Sequence, residues 1–346
     1  MSAAALAAYA GAAEYVLLAD RDDGTVVRCG DVVAKAHAGD SDPEALAVRI
    51  RLAGDPALAG VLLPPLHTGL GQVGSRPVSL WPYGAPVAHD RPEEAPWEPA
   101  AELLAALHRT PLHHLPYPVP PMRGPAKLAR ALHRLDAAHP PRARVRASAG
   151  QGHPLEPAPP GAAPGGRPAG VRIPGCPAGD VDADAARMAR LVRVAAATLP
   201  GWARGEGPAP SGGALCHGDL HLGQLVRSPA GGWRLIDVDD LGLGMPAWDL
   251  ARPAAWYAAG LLDTETWLRF LDAYRAAGGP AAGAPGCDPW PRLDLAARAL
   301  TVQTAALALV KSARERRRLD DVERLMVEAC ARIASLPPDL EPKAPS

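Results

Sequence analysis

The stretch 214–252 constrains this chain more than any other part of it. Ala214-Leu215-Cys216 runs into His217-Gly218-Asp219-Leu220-His221, and Gln224-Leu225-Val226 follows. A turn at Ser228-Pro229-Ala230-Gly231-Gly232 leads to Trp233-Arg234-Leu235-Ile236, which ends on Asp237. Short apolar runs separated by turn residues read as strand, loop, strand, turn, strand, loop. Folded as a small hairpin, the stretch carries carboxylates at both mouths. That spacing suits phosphoryl transfer, where catalysis is mostly positioning and charge neutralisation. Asp219 can take the proton of an attacking hydroxyl. Asp237 can hold a divalent metal over nucleotide phosphates, and Gln224, five residues after Asp219, can add a neutral carbonyl ligand. Mg²⁺ favours such hard oxygens and takes only one or two protein carboxylates beside phosphates and water.

The pattern resembles the aminoglycoside phosphotransferase and choline kinase family, relatives of the protein kinases. Its marks are His-x-Asp, an Asn five residues after the Asp, and Ile-Asp opening a metal-binding loop. Here they fall on His217, Asp219 and Ile236-Asp237, with Asp249-Leu250-Ala251 beyond. Gln224 stands where most members have Asn, and it is longer by about 1.5 Å. Residues 217–224 are similar to the variant in bacterial maltokinases and glucosamine kinases, whereas 236–251 are closer to the antibiotic kinases.

The resemblance implies an α+β fold of two protein-kinase-like lobes. A small antiparallel β lobe over 1–82 would bind nucleotide, and a larger, mainly helical lobe over 83–346 would hold the acceptor. ATP and Mg²⁺ would lie between them. Asp219 becomes the base, with Asp237, then Asp239, then Gln224 as metal ligands. His217 braces the catalytic loop and Asp249 is structural. The acceptor would be a small molecule bearing a hydroxyl: a sugar, an amino sugar or an aminoglycoside-like compound.

Upstream, 14–19, 26–28 and 32–37 read as strands, the first two joined by a turn with Asp-Gly chemistry. Lys35 lies mid-strand in a chain where only four of 36 basic residues are Lys (35, 127, 311 and 343). A compact point cation suits phosphate. Asp42-Pro43-Glu44 opens a helix with a cap residue followed by Pro. By the resemblance, Lys35 contacts the nucleotide phosphates, Glu44 holds Lys35, and 78–84 form the linker whose backbone meets adenine. Helical periodicity marks 97–109 and 127–135. Pro, Gly, Ala and Arg dominate 138–180, which reads as a disordered insertion. Asp182-Ala183-Asp184 then caps a helix, and further helices are expected over 256–262, 264–277, 293–318 and 320–336. The glycines at 242 and 244 are expected to allow a tight metal loop.

A net charge of −1 implies no basic field for nucleic acid. The five cysteines are scattered, no basic residue precedes Arg21, and no apolar run looks long enough for a membrane span. The expected compartment is the cytoplasm, with no nucleic-acid or membrane partner. Two rival readings remain. His217-x-Asp219-x-His221 could ligate the metal of a zinc or two-metal hydrolase. The Gln224 departure could mark a pseudokinase that binds nucleotide without transfer.

Overall fold

A computed structural model describes residues 2–21, 24–88, 90–115, 118–141, 178–210 and 213–335. Five strands form an antiparallel sheet: β1 (Val16–Arg21), β2 (Gly24–Cys29), β3 (Val32–His37), β4 (Gly71–Val73) and β5 (Arg76–Pro82), in the order β1-β2-β3-β5-β4. The helix α1 (Ala3–Tyr9) covers one face and buries Leu6 against Val27, Ala34, Ala36 and Val78. Side chains alternate across a strand. With Ala34 and Ala36 under α1, Lys35 and His37 are therefore turned to the other face, toward the rest of the molecule. The outer strand β1 leaves Val16, Leu17 and Leu18 exposed, and its pairing with β2 slips between Leu17 and Ala19.

The helix α2 (Pro43–Ala53) starts as its sequence dictates, with the Asp42 carboxylate accepting from the Glu44 and Ala45 amides. It buries Leu46, Arg49, Ile50, Leu52 and Ala53. Residues 61–66 form no strand among the described residues; Leu62 makes a single bridge to Leu235, and β4 lies later in the chain.

The larger lobe holds α3 (Trp97–His108), α4 (Gly124–Ala138), α5 (Ala178–Ala197), α6 (Ala251–Ala259), α7 (Thr264–Ala276), α8 (Trp290–Glu315) and α9 (Asp321–Ala334). Central to it is α8, which packs on α4, α5, α6 and α9. By length and apolarity α8 could cross a bilayer, contrary to the sequence reading, yet 67% of its most apolar window is buried inside the fold, as a core helix requires. The stripe Trp267, Leu271 and Tyr274 of α7 is buried as its spacing demands. The chain's single Phe, Phe270, joins that stripe and meets Trp97 edge to face at 6.0 Å, a geometry worth about 0.5–1.5 kcal/mol beyond area burial. Because α5 already begins at Ala178, the acids at 182 and 184 lie within it rather than capping it. Most of the expected insertion, 142–177, lies outside the described residues.

Two small sheets carry the 214–252 stretch. In one, β6 (Ala85–Pro86), β8 (Leu225–Arg227) and β9 (Trp233–Leu235) run in the order β6-β8-β9; in the other, β7 (Ala214–Cys216) pairs with β10 (Gly242–Gly244). The β8–β9 hairpin is antiparallel, with Leu225 opposite Leu235. Each acidic loop is thus pinned at both ends.

Candidate active site

The first loop leaves β7 at His217. Asp249 is 1% exposed and accepts the His217 amide at 2.6 Å and the Gly218 amide at 2.7 Å. Its Oδ2 also accepts His108 Nε2 at 2.9 Å, while His108 Nδ1 lies 2.7 Å from the Tyr274 hydroxyl. Burial opposes the charge on Asp249, but the His108 hydrogen bond, the nearby His108 and His217 rings and the Gly218 amide hold its pKa below the ordinary value. His217 Nε2 donates to the Ile236 carbonyl at 2.7 Å, tying the first loop to the second and making His217 a brace. Gly218 has φ +86°, and a Cβ there would sit 2.5 Å from the Asp240 carbonyl oxygen. Only glycine permits both the conformation and the approach.

The second loop begins at Asp237, a non-glycine in the left-handed region (φ 64°, ψ 71°). Such conformations persist at functional sites when their surroundings hold them. Lys35 Nζ lies 2.5 Å from Asp237 Oδ1 and 3.0 Å from Asp239 Oδ1. Burial works against the Lys35 ammonium, yet the two carboxylates outweigh it and raise its pKa above the usual lysine range. His37 is fully buried and joins Asp239 (2.9 Å) to Ser79 (2.8 Å). Burial also disfavours the Asp239 carboxylate, but Lys35 and His37 hold its pKa far below normal. Gln224 Nε2 donates to Asp237 Oδ2 at 3.2 Å.

Glu44 is not part of this cluster, and the expected Lys35–Glu44 pair does not form. Glu44 is exposed, and Lys35 is held by Asp237 and Asp239. The reason is helix phase: Glu44 lies about 200° around α2 from Leu46 and about 140° from Arg49, away from most of the buried side chains. The polar group that α2 does send inward is Arg49, 5% exposed, which donates to the Leu241 carbonyl at 2.7 Å and the Pro121 carbonyl at 3.1 Å. The loop glycines also act differently from expectation. Gly242 and Gly244 avoid the left-handed region, and their missing side chains admit Pro120, Pro121 and Met122.

A second set of charges surrounds Asp219. Its Oδ2 is 2.8 Å from Lys127 Nζ and its Oδ1 is 2.9 Å from an Arg252 nitrogen. Lys127 also lies 2.8 Å from Asp240 Oδ2, with Arg123 3.6 Å from that carboxylate. Burial would raise the Asp219 pKa, but Lys127 and Arg252 drive it well below the carboxylate range. Burial does prevail at Asp240 and raises it. Sequence reasoning missed Lys127 and Arg252. The signal for Lys127 was present, because the scarcity of lysine that marks Lys35 marks Lys127 equally. Arg252 directly follows the Asp-Leu-Ala marker.

His221 caps a short turn by accepting from Gly223, and burial, then Arg252, push its pKa down to about 4. A histidine that stays neutral when folded disfavours folding as pH drops below its unfolded value, near 6.5. Carboxylates with depressed pKa values, as at Asp219 and Asp249, lose their contribution below about 3.8. The urea midpoint is therefore expected to be lower at pH 4.5 than at pH 7, and to fall further below pH 4. His221→Asn, which keeps a capping side chain, should flatten the upper part of that slope. Urea melts from pH 3.5 to 8 check this, and equal slopes for both proteins would exclude His221.

The donor chemistry fits Mg²⁺. Asp237 offers a carboxylate that is 37% exposed, and a half-turn of the Gln224 amide presents its carbonyl in place of its NH₂. Asp239 fits less well, since its oxygens already serve Lys35 and His37. No zinc cluster forms from His217, Asp219 and His221: His217 Nε2, the Asp219 carboxylate and His221 Nδ1 face Ile236, the Lys127–Arg252 pair and Gly223 respectively. Among the described residues, the group of possible ligands close enough together is His108, Cys216 and Asp249. All three already hydrogen-bond within the protein. The hydrolase reading falls on these positions.

The family model described as "Phosphotransferase enzyme family" matches residues 44–295. No curated protein matches the chain. Among solved structures, the chain is similar to a choline/ethanolamine kinase family protein from Mesorhizobium loti, at 19% identity and a TM-score of 0.52 over 96% of this chain and 94% of that one. A thermostable variant of the aminoglycoside phosphotransferase APH(4)-Ia has 14% identity and a TM-score of 0.54, over 96% and 98%. The spectinomycin phosphotransferase APH(9)-Ia has 12% identity and a TM-score of 0.51, over 93% and 91%. At these identities the likeness is one of fold: two lobes with an antiparallel sheet in the smaller.

Proposed function

The chain belongs to the phosphotransferase enzyme family, and from that premise we propose that it moves the γ-phosphate of ATP to a hydroxyl of a sugar, an amino sugar or an aminoglycoside-like compound. The observation that carries this reading is the meeting of two charged clusters from distant parts of the chain. Lys35 meets Asp237 and Asp239, Lys127 and Arg252 meet Asp219, and Gly218 packs on Asp240 between them. ATP as donor is supported by the similar structures that contain ADP with spectinomycin or AMP-PNP with hygromycin B. Use of ATP also agrees with a cytoplasmic site of action.

In this reading Lys35 exchanges its carboxylate partners for nucleotide phosphates. Mg²⁺ held by Asp237 and Gln224 would neutralise phosphate charge. Asp219 orients the acceptor hydroxyl and receives its proton as the oxygen bonds to the terminal phosphorus and ADP departs. A carboxylate held at so low a pKa is a weak base. That suffices where the transition state is loose and the proton leaves late. Arg252 and Lys127 keep Asp219 ionised and fix its direction.

The test is ATP turnover against a panel of sugars, amino sugars and hydroxylated amines, with the phosphorylated product identified. Nucleotide binding with no transfer to any of them would favour the pseudokinase reading instead. Lys35→Ala is expected to raise the KM for ATP about 10- to 100-fold, the loss of one charge-assisted contact. An unchanged KM and rate would remove Lys35 from the site.

A further inference from the structure

Beside Asp219 is a recess that admits about one water molecule, lined by Trp248, Arg252, Leu300 and Gln303 among others. Gln303 is the anomaly. It sits on α8, one turn beyond Leu300, and extends an otherwise apolar stripe of Leu293, Ala296 and Leu300. It is only 7% exposed, yet its side-chain amide makes no hydrogen bond to any described residue. The amide atoms are not among the buried unpartnered ones, so they open onto the recess and are free to meet a ligand there. An amide carries two donors and an acceptor without charge, which suits a hydroxyl-bearing ligand.

The charges nearby restrict what that ligand can be. Asp219 is matched by Arg252 and Lys127, and Asp240 by Lys127 and Arg123. No carboxylate among these is left over for a polycation. Arg252 is itself committed, to Asp219 and to the Leu220 carbonyl at 3.0 Å.

Resting on the transferase reading above, we propose that Gln303 reads the acceptor. Its amide hydrogen-bonds a second polar group of the molecule whose hydroxyl Asp219 engages, and that molecule is an uncharged polyol or sugar rather than a polycation. The small recess takes a single hydroxyl-sized group, while the body of the acceptor remains outside it.

The experiment compares the full-length chain with its Gln303→Leu variant. Transfer from ATP is measured to D-glucose, D-glucosamine and the polycation kanamycin, and Tm is measured for both proteins. The wild type should use the neutral sugar in preference to kanamycin. Gln303→Leu should raise the acceptor KM about tenfold, the cost of one lost uncharged hydrogen bond, with a smaller change in kcat. Its Tm should stay level or rise, because the amide lost makes no hydrogen bond within the protein and its replacement is apolar. A preference for kanamycin, an acceptor KM within twofold of wild type, or a Tm lowered by several degrees would each overturn the inference while leaving the transferase reading intact. Nucleotide binding by the wild type without transfer to any compound would overturn the transferase reading, and this inference with it.

Discussion

Asp219→Asn is expected to lower kcat by about 10²–10⁴-fold, the usual contribution of a positioned general base, while the fold survives. Asn keeps the shape and one carbonyl acceptor but cannot take a proton. Removing one partner of a buried ion pair often costs about 3–5 kcal/mol, because the other charge is stranded. Here neither cation is stranded: Lys127 keeps Asp240, and Arg252 keeps the Leu220 carbonyl. The variant should therefore melt close to the wild type. Saturating kinetics and a thermal melt decide the matter together. Full turnover would remove Asp219 from the base role, and a collapsed melt would mean that the rate loss reports unfolding.

The second large effect is expected at Asp237. Replacing it with Asn should weaken Mg²⁺–ATP binding by about 10²–10³-fold, comparable to deleting one preorganised electrostatic group. Binding of ATP without Mg²⁺ should be unchanged or tighter, since one negative charge has gone from beside the phosphates. Asn is the informative choice because residue 237 is left-handed, and Asn tolerates that region better than other non-glycine residues. An Ala variant would mix the loss of a carboxylate with backbone strain. Calorimetric titration with and without Mg²⁺ separates the two contributions, and equal Mg²⁺–ATP affinity in Asn and wild type would dismiss Asp237 as the ligand.

The hairpin of the candidate site was legible because its signals are local. Turn residues separate short strands, and His217, Asp219, Gln224 and Asp237 lie within the resulting loops. Lys35 was legible by its rarity and its place mid-strand. Strand alternation puts His37 on the Lys35 face, two residues on, where it could have been noticed. Glu44 was misplaced because a cap position fixes where a helix begins but not which way its first turn faces; the Leu46–Ile50 stripe carried that information. Lys127 and Arg252 reach Asp219 from α4 and α6, contacts that only tertiary packing creates. The Ala-rich stretch that becomes α1 offered little periodicity, since alanine fits either face of a helix. Gln303 could not be distinguished by sequence from a solvent-facing polar residue on a helix; its burial without a partner is visible only in three dimensions.

The outermost strand of the small sheet has a practical consequence for handling the molecule. Among the described residues β1 has a free edge beside Val16, Leu17 and Leu18, a template onto which another molecule could stack at high concentration. The slip in pairing between Leu17 and Ala19 bends that rim, and Asp20 and Arg21 place ionic groups at its end. A bend of this kind disfavours edge-to-edge stacking, so straightening it is expected to increase self-association at high concentration.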